Sequence, residues 1–534
     1  MPHDSSTQSP LIAKSGTELA GLIASGDVSS EEVVAAHIAR IEQVNPALNA
    51  VVVPLFDSAR RQAAEADQRR RRGEPLGALH GVPVTVKECF NVAGTDATLG
   101  VKRLVGRPSP HDGPLARRLR AAGAIILGKT NVPQLMLLHE TDNPVYGRTN
   151  NPWDASRGPG GSSGGEAAII AAGGSPLGLG SDLGGSIRQP AHSCGICGLK
   201  PTSRYLTNVG SRLFMRGMQS IVVSPGPLAR SVADLRLALE ALRPQSEADT
   251  QFDESMAPRR AAATVDVSRL RIGMWTDDGF FAPSPAIRRG VREAADALRR
   301  CGAEVEAIDP PDAHELLRIY LGIIGADGGR RAAKFVSGSP SDWRIRRQRV
   351  LMGLHKSTQR ATAALLAALG QRHSAELLGV LGRKTADQYW DLTEARDALA
   401  HRFLAQLDEQ RIDAVLSPPH ALPAMRHGDS IYFFGAATYC YLLNLLGMPA
   451  GVVPVTHVQP SEQSDRTPSR DLVFRRAARC ERQTAGLPVG AQVFARRWRE
   501  DIVLAVMAAI EEQLPEVGRI VPIHCNSAGS GPPD

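Results

Sequence analysis

Residues 158–201 read GPGGSSGGEAAIIAAGGSPLGLGSDLGGSIRQPAHSCGICGLKP, and no other stretch so restricts what the chain can fold into. Serines stand among glycines: Gly160, Gly161, Gly164 and Gly165 bracket Ser162 and Ser163, and Gly184 and Gly185 precede Ser186. Glycine loses the most conformational entropy on ordering, so such runs make poor regular structure and need a reason. One reason is close approach. Without a β-carbon, backbone N–H groups can turn toward a ligand oxygen, and a hydroxyl beside them can act as a nucleophile. The alternative is a flexible Gly/Ser linker. An apolar helical segment at 166–172, with Asp182 and Arg188 near the second serine, argues against it.

A chain of 534 residues can bury a large core, as two domains or as one large α/β unit. Its net charge of +7 is small for that length, so a nucleic-acid partner is not expected. The seven cysteines are odd in number and scattered, which suits a reduced compartment better than a disulfide scaffold. The first ten residues carry no basic patch leading into an apolar run, and no uncharged apolar run is long enough to span a bilayer. A cytoplasmic location is the expectation.

Residues 1–14 are polar and read as a frayed tail. Ser29 or Ser30 then caps a helix whose Val34, Ile38 and Ile41 share one face. A charged helix comes next over 57–72, ending in RRRR and closed by Gly73. In LHGVPVTVKE, at 79–88, Val82, Val84 and Val86 alternate with Pro83, Thr85 and Lys87. That period of two predicts a strand with its valines toward the core and Lys87 on the opposite face, where a lone lysine is ordinarily solvated. The spacing predicts helices over 112–122, 226–239 and 285–300. It predicts strands over 270–274, 304–308, 414–416, 451–455 and 489–494, an α/β rhythm. Residues 243–268 read as a connection, 457–472 as a polar loop and 521–534 as a flexible tail. The basic, leucine-rich helices of 343–383 suit core packing or a membrane interface, with core packing favoured.

Several chemistries are excluded by spacing. Residues 123–130, GAIILGKT, satisfy the P-loop pattern, but a helix precedes them and the variable positions are apolar, so the strand–loop–helix order that holds a phosphate is absent. Cys194 and Cys197 form one C-x-x-C with no second pair, and no H-E-x-x-H occurs, so no metal site is expected. GGSSG at 160–164 matches the nucleophile elbow G-x-S-x-G, with Ser162 as nucleophile and His420 or His427 as base. An elbow serine directly follows an apolar strand, and NNPWDASRGP before Gly160 is not one.

GVPVTVKE around Lys87, GGSSGGE around Ser162 and GSDLGGSIRQPA around Ser186, in that order, resemble the catalytic blocks of the amidase signature family of serine hydrolases. The likeness continues through GICGLKP. Within the family the chain is most similar to the fatty acid amide hydrolase branch, through KECFNVAGTDATLG, TNVPQLM, GGSPLGLG, NLLGMPAGVVPVT and GLPVGAQV. It covers most of 75–235 and 413–515 and is weak in 331–405.

The resemblance implies an α/β fold: one large domain over 15–520 with a mixed, twisted central sheet covered by helices on both faces. Residues 331–405 would be a variable helical insertion, a substrate-access or membrane-facing region. It also implies a Ser-cisSer-Lys triad, with Ser186 the nucleophile, Ser162 the relay after a non-proline cis peptide, and Lys87 first base and then acid. A lysine of ordinary pKa is neutral in only roughly 0.04% of molecules at pH 7, so Lys87 must then be buried. The oxyanion hole would be the N–H groups of Leu183, Gly184, Gly185 and Ser186, with Asp182 and Arg188 bracing that turn, Ser163 supporting the relay and Met136 lining the acyl pocket. Implied further are a small-molecule amide substrate with an apolar acyl group, no cofactor and no metal, a homodimer, and peripheral membrane contact as an open alternative to a purely cytoplasmic life. A second reading carries the same triad: a subunit of an amidotransferase assembly that works with partner chains and passes ammonia onward.

Overall fold

Eleven strands form one mixed sheet, in the spatial order Val51–Pro54, Ile125–Thr130, Pro83–Lys87, Leu177–Asp182, Ser224–Ala229, Cys197–Lys200, Ala450–His457, Pro488–Ala495, Ala414–Ser417, Arg271–Met274 and Glu304–Ala307. The structure, a computed structural model, describes residues 9–244, 265–515 and 520–521. Strand Pro83–Lys87 runs parallel to both of its neighbours, while Leu177–Asp182 pairs antiparallel with Ser224–Ala229. Alternation within single strands feeds two cores: Ile126 joins one apolar cluster, and Ile125 and Leu127 join another beneath helices Ser30–Leu48 and Gly164–Ala171. Helices thus flank the sheet, as the α/β expectation requires.

A sheet covered on both faces has no solvent side, which corrects the first reading of Lys87 as a surface residue. All five residues of Pro83–Lys87 are buried, the alternate positions Thr85 and Lys87 included. A second correction concerns 226–239. Residues Ser224–Ala229 are a strand, and the helix is Val232–Leu242, begun by Ser231, whose hydroxyl accepts the Asp234 N–H at 3.2 Å. The helical spacing of its apolar residues continues one turn too far upstream, through Leu228. The P-loop match dissolves as expected: Gly123, at φ +88°, ends helix Pro114–Ala121, and the apolar positions after it form strand Ile125–Thr130.

The chain is ordered earlier than the frayed tail predicts. Pro10–Ala13 form a 3-10 helix, and the Arg230 guanidinium donates to the Lys14 carbonyl. Residues 1–8 of that tail, 245–264 of the 243–268 connection, and all but Val521 of the C-terminal tail lie outside the described residues. Val521 donates its N–H to Ala171 O at 3.2 Å.

The segment between the two halves of the sheet is helical: Ala313–Ile324, Arg330–Val336, Trp343–Gly353, Lys356–Ala368, Arg372–Val380 and Ala386–Glu409. Arg344 ties it to the rest of the protein, pairing in the interior with Glu140 at 2.7 Å, Asp142 at 2.7 Å and Asp342 at 2.5 Å.

Candidate active site

Lys87 closes its strand with the side chain wholly buried, and its Nζ meets three hydroxyls and one carbonyl: Ser162 Oγ and Ser163 Oγ at 2.8 Å, Ser181 Oγ at 3.0 Å and Ser181 O at 3.1 Å. A carbonyl only accepts, whereas a hydroxyl accepts or donates. Either form of the amine finds partners here: an ammonium can donate to Ser181 O and two hydroxyls, and an uncharged amine can donate to Ser181 O and one hydroxyl and accept from another. Burial draws Lys87 down to about 8, against the opposing pull of the Asp182 carboxylate. Cys89 itself is pushed up to about 11 by burial and stays a neutral thiol.

Ser162 lies in the loop before helix Gly164–Ala171, after a cis Gly161–Ser162 peptide. The glycines here answer to the protein's own backbone rather than to a ligand. A β-carbon on Gly161 would fall 2.4 Å from Glu140 O, and one on Gly165 would fall 2.5 Å from Asn131 N. Glu166, in the first turn of that helix, is buried and accepts from Thr85 Oγ1 and from Thr130 Oγ1 at 2.6 Å; burial pushes it up to about 7.

Ser186 sits where strand Leu177–Asp182 turns into helix Arg188–Cys194. Asp182 and Arg188, both fully buried, hold that turn. The carboxylate accepts from Gly185 N–H at 2.8 Å and Ile187 N–H at 3.1 Å, and the guanidinium pairs with it at 3.0 Å through both Nε and Nη2. Burial opposes the charge on Asp182, yet Arg188 beside it holds the carboxyl well below the usual range. Gly185 thereby departs from its expected place in the oxyanion hole, because its N–H is directed to Asp182. The N–H groups of Leu183, Gly184 and Ser186 have no acceptor among the described residues. Ser163 N–H donates to Ser186 O at 3.1 Å, which sets the two serine segments side by side, although Ser162 Oγ and Ser186 Oγ make no direct hydrogen bond among the described residues.

Ser186 borders two cavities. One, of about 800 Å³, has a mainly apolar wall that includes Met136, Leu183, Leu351, Leu378, Phe433 and Tyr441, with Arg475, Arg476 and Arg479 also along it. The other, of about 160 Å³, is lined by Ser162 and Ser181 together with Asn208, Arg216 and Gln219. Residues 343–383 divide between the cavity and the surface. Leu351, Leu366, Leu377 and Leu381 face the large cavity rather than solid core, while Leu365 and Leu369 stand 60% and 62% exposed outside it.

Neither candidate histidine takes the place of Lys87 beside Ser162. His420 Nδ1 is 3.1 Å from Leu422 N and His427 Nε2 is 3.2 Å from Ala155 O, and neither reaches Ser162. Cys194 and Cys197 are buried free thiols, and no metal-binding cluster occurs among the described residues. No described helix is long and apolar enough to cross a membrane. Sequence reasoning missed Ser181 and Glu166, although both lie inside the quoted motifs; a serine between Gly180 and Asp182 at a strand end was a usable signal. Tyr320 and His139, which touch the Ser186 turn, carried none.

The family described as amidase matches residues 32–504. Fatty-acid amide hydrolase 1 of Sus scrofa is 35% identical over 508 residues, spanning 94% of this chain and 86% of that protein. A glutamyl-tRNA(Gln) amidotransferase subunit from Salinispora arenicola (strain CNS-205) is 32% identical over 513 residues, 94% of this chain and 97% of that one. A solved fatty acid amide hydrolase superposes with a TM-score of 0.82 at 28% identity, covering 94% of this chain and 85% of its own. With both serine motifs, the lysine strand and the whole sheet inside the matched span, the chain belongs to the amidase signature family of amide-hydrolysing serine hydrolases.

Proposed function

We propose that Ser186, Ser162 and Lys87 form a relay that cleaves carboxamides through a covalent acyl-enzyme. Ser186 Oγ attacks the carbonyl carbon, its proton passing to Ser162 Oγ as Ser162 gives its own to neutral Lys87 Nζ. The new oxyanion is met by the N–H groups of Leu183, Gly184 and Ser186. Lys87, now an ammonium, returns a proton through Ser162 to the nitrogen, the C–N bond breaks, and the amine leaves. Water repeats the attack on the ester, releasing the acid and restoring Ser186. The observation that carries this reading is Lys87 Nζ, wholly buried and 2.8 Å from Ser162 Oγ. At a pKa near 8 roughly a tenth of the molecules hold the neutral base at pH 7, some 200 times more than an ordinary lysine.

The substrate is an amide with a long apolar acyl group, which the large cavity suits, while the smaller cavity beside Ser162 and Ser181, whose wall also holds Asn208 and Gln219, suits the departing amine. Ammonia release from linear primary amides, acetamide to hexadecanamide, tests both parts. kcat/KM is expected to rise with chain length and to vanish in Ser186→Ala; a reversed order contradicts the substrate class, and full activity of Ser186→Ala contradicts the relay. The likeness to amidotransferase subunits supports the second reading, in which the same relay serves a multi-chain assembly. Turnover by the purified single chain decides for the hydrolase. Peripheral membrane contact belongs to the same proposal, supported by exposed Leu365, Leu369 and Val350 on the helices that wall the cavity. So does the homodimer, which light scattering of the purified protein tests.

A further inference from the structure

We infer that Tyr320 and His139 are positioning residues for the turn that carries the oxyanion hole, Tyr320 pinning through Leu183 O the plane of the Gly184 N–H, and His139 pinning through Gly184 O the plane that follows it. The inference rests on the reading of Ser186 as nucleophile. In a planar trans peptide the C=O and the N–H point in opposite directions, so fixing one fixes the other. Leu183 C=O shares its plane with Gly184 N–H, and Gly184 C=O shares the next with Gly185 N–H. Tyr320 Oη donates to Leu183 O at 3.1 Å, which turns the Gly184 N–H away from Tyr320 and leaves it free for a substrate oxygen. His139 Nε2 lies 2.8 Å from Gly184 O, and since a carbonyl only accepts, Nε2 carries the proton. The same plane is held at its other end, where Gly185 N–H donates to Asp182. Two consecutive planes are therefore fixed from behind, and a glycine-rich turn, loose by composition, is set before any substrate arrives.

The fit around these groups is close. A β-carbon on Gly184 would fall 2.2 Å from Tyr320 Oη, so the tyrosine hydroxyl requires a glycine there. The Tyr320 ring stacks on Tyr441 with centroids 4.0 Å apart at 8°, and it is 5% exposed. Burial raises its phenol well above the ordinary range and lowers His139 to about 4, so through the neutral range one stays a hydroxyl donor and the other an uncharged imidazole. Neither is hydrogen-bonded to Lys87, Ser162 or Ser186 among the described residues. Both stand on the wall of the large cavity beside Ser186, and the effect inferred for them runs through the turn. Tyr320 also rides on helix Ala313–Ile324, whose Leu321 and Ile324 face the large cavity, so the wall that receives the acyl group and the clamp on Leu183 are one rigid element.

Tyr320→Phe keeps the stacked ring and removes only the donor; His139→Phe removes the second donor and His139→Gln offers an N–H in its place. With dodecanamide, kcat is expected to fall about 10- to 100-fold in Tyr320→Phe and His139→Phe, less than the loss of a direct oxyanion donor, with KM within about twofold and partial rescue in His139→Gln. Inhibition by a dodecyl trifluoromethyl ketone, which forms an oxyanion on Ser186, should weaken by the same factor as kcat/KM, while competitive inhibition by the product dodecanoate is unchanged. A wild-type kcat in Tyr320→Phe, or a loss falling wholly in KM and in dodecanoate binding, overturns the clamp. Ser186→Ala measured alongside separates the two levels: if it retains full activity the nucleophile reading itself fails, whereas its inactivity with an unaltered Tyr320→Phe refutes only the clamp.

Discussion

Lys87 Nζ and Ser162 Oγ stand 2.8 Å apart across 75 residues of chain, because the strand that ends at Lys87 lies beside the strand that leads toward Ser186. Ser162 is delivered to the same spot by a loop packed so tightly on Glu140 that its glycine admits no β-carbon. A buried amine, a hydroxyl in contact with it and a second serine are thus gathered at the end of two parallel strands.

The rate should depend on pH through Lys87. Its folded value is lowered to about 8, so the neutral base grows as pH rises through that point. A plot of log kcat/KM is expected to climb with unit slope from pH 6 and level off above about 8.5. Lys87→Arg, charged throughout, should be inactive at every pH. A flat profile between pH 6 and 9 would remove Lys87 as the base.

Filling the large cavity should discriminate by chain length. Leu378, on helix Arg372–Val380, is 4% exposed and lines the wall. Leu378→Trp is expected to lower kcat/KM for hexadecanamide about tenfold or more while leaving butanamide within about twofold. Equal losses on both would mean that the acyl chain lies elsewhere.

Breaking the buried pair behind Ser186 should destabilise the protein. Asp182→Asn leaves the Arg188 guanidinium in the interior with no opposite charge, a change worth about 3–5 kcal/mol. Asp182 has a folded pKa below its unfolded value of about 3.9, so its contribution is complete above that pH and is lost as pH falls further. The gap in melting temperature between wild type and Asp182→Asn should therefore narrow from pH 5 to pH 3. A gap that widens in acid would contradict the assignment of charge.

Gly184 and Tyr320 should be energetically coupled. Gly184→Ala places a β-carbon against the phenol oxygen, and Tyr320→Phe removes that oxygen. The double variant is expected to melt above Gly184→Ala alone, a non-additive result of the kind residues in contact give. Strictly additive losses would show that the two do not share the space.

The features legible in the sequence were local. The valine alternation located the Lys87 strand, and the glycine–serine motifs located both serines, since these features lie within a few residues of the groups they describe. Burial of Lys87 was not legible from alternation, because whether the second face of a strand is covered depends on Glu166 and its helix, 79 residues downstream. Which leucines of 343–383 face the cavity was hidden for a related reason: a leucine facing a cavity and one facing solid core have the same hydrophobicity, and only the tertiary arrangement separates Leu377 from Leu365. Gly185 shows the limit of motif transfer. Its place in the turn matched, yet the direction of its N–H was set by Asp182.

The central claim, that Ser186 attacks while Ser162 relays, is tested most directly by treating the purified protein with a fluorophosphonate and locating the adduct by peptide mass spectrometry. The expected result is modification of Ser186 alone, absent in Ser186→Ala and slowed in both Ser162→Ala and Lys87→Ala. An adduct on Ser162, or labelling that persists in Ser186→Ala and disappears in Ser162→Ala, would contradict it.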